Sequence, residues 1–314
     1  MKLRHLLPLI GVTLAVIAVT VVFRRIESFD FAMLLAHARD FSPLTVIGAM
    51  ALVVLCLSLA GFYETAMLAE LGHPISLRRG LLTAFIANPI GHTVGFSTLS
   101  AGALRYRLYA PLGLAPRTIA AIIVLSAFPY VLGIMLLLDL ALVFGARQAA
   151  PALHLPVALV VTLGVLGLAK DAGYVVLTRV RRQPFRVASF HVRLPTLGFT
   201  LLQLSIGVTQ IACIAGVLYL FLAPELHIGF VAFLVVYLIA MAVGSLSNVP
   251  AGIGVVEAML LLMLPQVPPE KLLAAVLAYR AVYELMTVLI ALALLALFEV
   301  GSQHGIAGRL WRGR

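Results

Sequence analysis

The apolar stretch LLTAFIANPIGHTVGFSTLS (residues 81–100) runs directly into the basic stretch AGALRYRLY (residues 101–109). The apolar stretch contains residues that weaken a regular helix, namely Asn88, Pro89, Gly91 and Gly95. In a lipid bilayer, non-helical backbone is tolerated only where protein buries it or water reaches it. An interrupted apolar segment that ends in fixed cations therefore predicts a place inside a membrane protein where anions are handled.

The composition of the chain is that of a membrane protein. Of its 314 residues, 63% are hydrophobic and 11% are charged, whereas about 25% are charged in a soluble domain. The formal net charge is +10, but the arginines stand mostly beside the ends of apolar runs. This placement indicates the positive-inside bias and attraction to anionic lipid headgroups, and not nucleic acid binding. Cys56 and Cys213 lie within apolar runs and indicate no disulfide or metal framework.

The apolar runs predict an all-α, polytopic helical protein with about eight membrane segments, two of them broken or re-entrant. We expect one integral membrane domain over residues 1–314, with candidate halves 1–150 and 151–314. The first run has no A-x-A-like cleavage site after it, so we expect a retained helix and a cytoplasmic N-terminus. The predicted regular helices are Leu6–Phe23, Pro43–Leu71, Thr118–Phe144 with a kink at Pro129, Pro156–Thr178, Thr196–Leu222, Ile228–Leu246 and Lys271–Phe298.

The positive-inside rule favours a re-entrant hairpin for residues 81–99. If this segment crossed the membrane, the arginines before and after it would face opposite sides. A hairpin keeps all of them on the cytoplasmic side. These arginines are Arg78, Arg79, Arg105, Arg107 and Arg117.

A second interruption, SNVPAGIG, occupies residues 247–254. The apolar run after it, Val255–Leu264, is too short to span alone at about 1.5 Å per residue across roughly 30 Å of hydrocarbon. The sequence leaves open whether Asn248–Leu264 crosses or re-enters, and with it the side on which the C-terminus lies.

The two interruptions share a pattern that predicts an inverted repeat. Each Gly/Pro-rich break is followed by a Tyr/Arg cluster, and matching interrupted segments in two halves point to a transporter site. Chance similarity between two Gly/Pro-rich stretches is the alternative. The predicted hinge or broken-helix residues are Asn88, Pro89, Gly91, Gly95, Pro250, Gly252 and Gly254.

Four motifs together resemble a known family. They are LGHPISLRR (residues 71–79), AGALRYRLYAPLGL (101–114), NVPAGIGVVE (248–257) and AYRAVY (278–283). They are similar to the N-terminal membrane domain of the bifunctional lysylphosphatidylglycerol synthases and flippases, over nearly the whole chain. The family's Gly-Gly pairs stand here as Ala101-Gly102 and Ala251-Gly252. The family's bifunctional members continue into a soluble transferase domain, whereas this chain ends at Arg314, so the resemblance implies the lipid-translocating half alone.

The motifs supply a candidate lipid-binding or translocation site. Its members are Arg105, Tyr106, Arg107, Tyr109, Asn248, Glu257, Tyr279, Arg280, Tyr283 and Glu284. Arginine suits bidentate phosphate recognition, although Arg105 and Arg107 are equally explained as a cytoplasmic flank. Arg280 lies roughly 14 Å into its helix, where a cation needs a partner. Either Glu257 or Glu284 can supply it, and an Arg280–Glu284 pair of purely structural role is the alternative.

Other polar residues have simpler interpretations. Lys170 and Asp171 are adjacent, about 100° apart on a helix, so we expect no good pairing between them. Glu64 and Asp139 stand near helix ends, where interfacial positions are usual. No HExxH, CxxC, Walker A or GxSxG pattern occurs, so we expect no metal or other cofactor.

The predicted function is phospholipid translocation between leaflets of a bacterial cytoplasmic (inner) membrane by a transporter, with aminoacylated phosphatidylglycerol as a candidate substrate. One alternative is a membrane enzyme that modifies a lipid headgroup or polyprenyl phosphate, for which Glu257 and His92 are the candidate groups. Another is a non-transporting partner of a separate lipid synthase. The expected partners are membrane phospholipids, with a separate synthase or a second copy of the chain as further candidates, and no nucleic acid.

Overall fold

The computed structural model describes residues 32, 36, 41–94, 97–180, 185–187, 190–192, 195–246 and 254–303. The predicted first helix Leu6–Phe23 lies outside the described residues. Gly95, Asn248, Pro250 and Gly252 of the predicted site and hinges lie outside them too.

The described chain is helical apart from one small hairpin. In order, its helices are α1 (Pro43–Glu70), α2 (Leu77–Val94), α3 (Ser97–Tyr109), α4 (Pro116–Ser126), α5 (Phe128–Phe144), α6 (Ala146–Leu153), α7 (Val157–Val180), α8 (Leu197–Leu222), α9 (Phe230–Leu246), α10 (Val255–Met263), α11 (Pro269–Arg280) and α12 (Met286–Gln303). A π-turn (Ala281–Leu285) joins α11 to α12, and 3₁₀ turns follow α3 and α8.

Five helical segments are long and apolar enough to cross a membrane. They are Pro43–Glu70, Thr118–Phe144, Val157–Val180, Leu197–Glu225 and Pro269–Val300, and a shorter apolar helix covers Phe230–Gly244. Large apolar side chains such as Phe144 and Leu166 are 81% and 62% exposed on these helices, which suits contact with lipid tails. The polytopic all-α class predicted from the sequence is confirmed, and α10 is too short to span alone, as expected.

The helix predicted over Thr118–Phe144 is two helices. The chain leaves α4 at Ala127, and α5 begins at Phe128 with Pro129 in its first turn. Proline has no N–H to donate and is accommodated best in a helix's first turn. In place of the predicted kink at Pro129, the structure has a break between two helices at Ala127, two residues earlier.

A two-stranded antiparallel hairpin interrupts the basic loop after α7. Strands β1 (Phe185–Val187) and β2 (Phe190–Val192) pair with Arg186 opposite His191. It is a small local exception to the all-α pattern.

The chain forms two compact units, one of residues 1–127 and 273–314 and the other of residues 128–272. The division into halves 1–150 and 151–314, expected from the sequence, stays a prediction. The core of the first unit joins α2, α3 and α12, through Ile86, Ala87, Ile90, Ala101, Leu104, Leu108, Val288, Ala291, Leu295 and Phe298.

In the second unit, α5 and α8 approach at a pair of glycines. A Cβ built on Gly133 would lie 2.3 Å from the carbonyl carbon of Gly207. Small residues let membrane helices come into backbone contact. This contact helps to make α8 the most buried of the candidate spans.

Helices α2 and α3 pack against each other as a hairpin over residues 77–109, a longer range than the re-entrant hairpin expected for residues 81–99, and re-entry stays a prediction. The Ser100 hydroxyl donates to the carbonyl of Gly91 at 3.3 Å near the closed end. The position of the break was wrong, however, because α2 continues through Asn88, Pro89 and Gly91 to Val94. A proline removes one N–H, and a helix enclosed by neighbouring helices tolerates that loss.

Candidate functional site

A buried ion pair joins α1 to the α2–α3 hairpin. Arg105 donates from Nε to Glu64 Oε1 at 2.9 Å and from Nη2 to Glu64 Oε2 at 3.1 Å. Nη2 also donates to Asn88 Oδ1 at 2.9 Å, and the Tyr109 hydroxyl donates to Glu64 Oε1 at 2.7 Å. Glu64, Arg105 and Tyr109 are 1%, 4% and 0% exposed. We call these four residues the hairpin lock.

Close helix packing brings the members of the hairpin lock together. A Cβ on Gly61 would meet the Leu81 Cα at 2.6 Å, and one on Gly80 would clash with the Thr65 hydroxyl. The absence of side chains at these two glycines lets α1 and α2 run in contact. Glu64, one turn beyond Gly61 on α1, then faces the hairpin.

The hairpin lock changes the interpretation of several predicted residues. Glu64 was expected at an interface, but it is buried, because Arg105 neutralises it and Tyr109 completes its hydrogen bonding. Arg105 was predicted to counter a lipid phosphate, yet its guanidinium already binds a carboxylate in bidentate fashion. Asn88 was predicted as a hinge and accepts a hydrogen bond from Arg105. We assign these side chains to holding the hairpin.

Arg107 makes a second link, from the hairpin to the last helix. Its Nη2 lies 2.7 Å from Glu299 Oε2 on α12, and its guanidinium carbon lies 5.9 Å from the centre of the Phe298 ring. Tyr106, between the two arginines, is half-buried. The two predicted arginines thus point to different helices, as i and i+2 residues on a helix do.

The predicted cluster Tyr279, Arg280, Tyr283 and Glu284 lies at the junction of α11 with the π-turn. The rings of Tyr279 and Tyr283 stack with centroids 5.5 Å apart and planes 17° apart. All four residues are partly accessible, unlike the enclosed Arg105 and Tyr109. Single π-turns inside α-helices are often found at functional sites. The π-turn packs against α1 and α2, so it lies in the same unit as the hairpin lock.

Thr287 satisfies carbonyl groups at the π-turn. Its buried hydroxyl lies within hydrogen-bond distance of the carbonyls of Tyr283 and Glu284, at 2.5 and 3.1 Å. A π-turn displaces the regular ladder of backbone hydrogen bonds, and the threonine side chain compensates for part of that displacement. The sequence contained no signal for the π-turn, because AVYEL (residues 281–285) has no proline or glycine that would disturb a regular helix.

We expect Thr287→Val to lower the free energy of unfolding by about 1 kcal/mol, since it leaves these carbonyls less well satisfied. The matched control is Thr162→Val, whose hydroxyl bonds the Ala158 carbonyl at 2.8 Å on an exposed face of the regular helix α7. Thermal unfolding in the same detergent measures both. Equal losses in the two variants would show that the π-turn does not depend on Thr287.

Glu257 has a local role in the second unit. The backbone N–H of Gly254 donates to Glu257 Oε2 at 2.8 Å at the start of α10, and Gly254 has φ +82°. A carboxylate in the first turn suits the positive end of a helix. Glu257 is half-buried, so its cap leaves part of the side chain accessible.

Lys170 forms ion pairs that the sequence argument did not expect. Its Nζ lies 3.0 Å from Asp171 Oδ1 and 3.3 Å from Asp139 Oδ2. The prediction of no good pairing between Lys170 and Asp171 was wrong, because the flexible four-carbon lysine side chain reaches the carboxylate of its neighbour. Asp139, expected at an interface, packs its carboxylate against Gly167 of α7.

Within the described parts of the chain, no group of three or more His, Cys, Asp or Glu residues is arranged to hold a metal ion. The alternative function of a membrane enzyme relied on His92 and Glu257 as candidate groups. His92 lies near the end of α2, in the first unit. Glu257 lies in the second unit.

Five helical segments that can cross a membrane define the class as a polytopic helical membrane protein. Buried charges hold an antiparallel hairpin among these helices. The chain belongs to the family of the lysylphosphatidylglycerol synthase transmembrane region, which matches residues 9–291. The family resemblance seen in the motifs is thereby confirmed, and membership supports a lipid-related role in the membrane.

Relatives of this chain include both stand-alone and longer proteins. The Synechocystis protein slr0712 is 29% identical over 277 residues, covering 87% of this chain and 85% of that protein. Inner membrane protein YbhN of Escherichia coli is 29% identical over 290 residues, covering 91% and 89%. Phosphatidylglycerol lysyltransferase of Staphylococcus aureus is 25% identical over 302 residues, which cover 92% of this chain but 33% of that protein.

Proposed function

We propose that this protein moves phospholipids between the leaflets of a bacterial cytoplasmic membrane, as a transporter and not as an enzyme. The observation that carries the proposal is the partly accessible cluster of Tyr279, Arg280, Tyr283 and Glu284, where α11 meets a π-turn inside a spanning segment. Arg280 lies about 16 Å along the segment from Pro269 at 1.5 Å per residue. Ionisable residues at such depth in a membrane helix mark substrate pathways by default.

The cluster suits a phospholipid headgroup chemically. Arg280 offers a cation for the phosphate, and Glu284 offers an anion for an amine. The stacked tyrosines present both an apolar face and a hydroxyl, as residues at a lipid interface do. Since both charges are present, aminoacylated phosphatidylglycerol is our candidate substrate.

The hairpin lock serves as the scaffold in this proposal. It holds α2 and α3 against α1 beside the π-turn, so that the polar cluster stays in place while a headgroup passes. Arg107 and Glu299 tie the same hairpin to α12. The name of the E. coli relative, an inner membrane protein, supports the proposed location, and a cytoplasmic N-terminus stays a prediction from the sequence. Phospholipids are the proposed ligands, and a separate synthase or a second copy of the chain stays a predicted partner.

Purified protein in liposomes that contain labelled aminoacylated phosphatidylglycerol tests this function. Redistribution of the label between leaflets, with every lipid chemically unchanged by mass spectrometry, is the expected result. A new lipid species would indicate a headgroup-modifying enzyme. Redistribution that requires an added lipid synthase would indicate that this protein acts as a partner of that synthase.

The motif NVPAGIGVVE (residues 248–257) predicts Glu257 as a member of the translocation site, so we expect Glu257→Gln to insert and fold normally and to lose lipid transport. Glutamine keeps an oxygen that accepts the Gly254 N–H, so the cap of α10 survives while the negative charge is removed. Circular dichroism and leaflet exchange measured on one preparation separate the two effects. Normal exchange by the folded variant would remove Glu257 from the translocation site and leave it as a helix cap.

A further inference from the structure

A second set of charges lies inside the unit of residues 128–272. Lys170 Nζ contacts Asp139 Oδ2 at 3.3 Å and Asp171 Oδ1 at 3.0 Å. Both aspartate side chains are 13% exposed, and the lysine is 51% exposed. We call Asp139, Lys170 and Asp171 the membrane triad. None of its three residues belongs to the lipid site proposed above.

The membrane triad lies within two spanning segments. Lys170 is about 20 Å along α7 from Val157 at 1.5 Å per residue, and Asp139 belongs to the span Thr118–Phe144. Gly167 makes room for the Asp139 carboxylate, since a Cβ there would clash with its oxygens. The helices are thus shaped to admit a carboxylate at this depth, where an isolated charge is costly.

The charges of the membrane triad do not balance. Two carboxylates face one ammonium group, and within the described residues Lys170 is the cation that forms ion pairs with them. Helices α8 and α9 contain no charged residue, and α8 contributes neutral groups such as Thr200 beside Tyr174. The nearest arginines in the sequence are Arg147 on α6 and Arg179 on α7, which lies roughly 12 Å along the helix from Asp171.

One oxygen of the membrane triad is also left without a donor. Asp171 Oδ2 is buried and accepts no hydrogen bond within the described part of the chain. Tyr174 lies one turn further along the same helix. A buried carboxylate oxygen with no donor is costly when it is charged and is readily satisfied when the group carries a proton. The charge count indicates one missing positive charge, and this oxygen is a buried acceptor that a proton would satisfy.

We propose that the membrane triad binds one proton, shared between Asp139 and Asp171 beside the Lys170 ammonium group. Two carboxylates at one site cannot both stay ionised at low cost in a membrane, whereas a single carboxylate paired with lysine is neutral. Proton uptake makes the site neutral, and proton release leaves it with a net negative charge. The proposal concerns this site alone and does not depend on lipid translocation.

Infrared difference spectroscopy of the purified full-length protein in lipid nanodiscs tests the proposal. We expect the carbonyl band of a protonated carboxylic acid to appear as the pH falls from alkaline to mildly acidic. Asp139→Asn and Asp171→Asn should each abolish the band, because either leaves one carboxylate paired with Lys170. Lys170→Met should increase the band about twofold, because two uncompensated carboxylates then take up protons.

Glu225→Gln is the matched control. Glu225 pairs with Lys271 in a carboxylate–lysine contact at the surface, with side chains 28% and 47% exposed. This variant should leave the band unchanged. Absence of the band in the wild type, or its persistence in both aspartate variants, would overturn the proposal. So would carboxylate changes that follow added Na⁺ at constant alkaline pH, because they would assign the site to sodium.

Discussion

Glu64→Gln is expected to cost about 3–5 kcal/mol of stability, because it leaves the Arg105 guanidinium as an uncompensated buried charge. Arg105 gives Glu64 a bidentate contact and is 4% exposed, so water cannot replace the lost carboxylate. A loss of this size is a large share of the roughly 5–15 kcal/mol by which proteins are stable. We therefore expect little folded protein to be recovered from membranes.

Glu70→Gln is the control for this prediction, because Glu70 lies on the same helix and is exposed at its end. Size-exclusion profiles and thermal unfolding in the same detergent compare the two variants. The double variant Glu64→Leu, Arg105→Met removes both charges and should regain much of the lost stability, since apolar replacement of a whole buried pair is often tolerated. Equal behaviour of Glu64→Gln and Glu70→Gln would contradict the hairpin lock.

Gly61→Leu is expected to weaken the hairpin lock without altering any of its members. A Cβ at this position would lie 2.6 Å from the Leu81 Cα and 2.9 Å from the Leu81 backbone nitrogen. Backbone cannot move aside as a side chain does, so α1 must separate from α2. Overpacking typically costs about 1–3 kcal/mol, and here it also draws Glu64 away from the hairpin.

Gly173→Leu is the matched control, because Gly173 is also on a spanning helix and has nothing within 4 Å of its built Cβ. The measurement is the coupling free energy between Glu64 and Arg105 from a double-mutant cycle. It should fall toward zero in the Gly61→Leu background and stay unchanged in the Gly173→Leu background. An unchanged coupling in both backgrounds would show that glycine packing does not set the distance between the charges.

Hydropathy predicted the spanning helices closely, because lipid imposes a length and an apolar composition on each. The helix expected at Pro156–Thr178 is observed at Val157–Val180, and that expected at Thr196–Leu222 is observed at Leu197–Leu222. The interruptions were predicted less well. Pro89 stays inside α2, whereas the chain breaks at Ala127, because neighbouring helices decide whether a weakened turn persists.

The candidate site was only partly predictable for a similar reason. The motifs identified Arg105 and Arg107, but not their partners, since Glu64 is 41 residues and Glu299 is 192 residues away in the chain. A glutamate within an apolar run is itself a signal, because intramembrane carboxylates need a partner. Applied to Glu64, that rule would have predicted that its carboxylate is paired with a cation. The π-turn had no comparable signal.

The most direct test of the account is the initial rate at which labelled aminoacylated phosphatidylglycerol leaves the inner leaflet of sealed liposomes. The account predicts that the wild-type protein speeds this exchange at least about tenfold over protein-free liposomes, which corresponds to a barrier lowered by ~1.4 kcal/mol. It also predicts that Glu284→Gln, folded and inserted to the same extent, falls back toward the protein-free rate, because the cluster then has no anion for the amine of the lipid. Wild-type exchange no faster than that of protein-free liposomes would contradict the account.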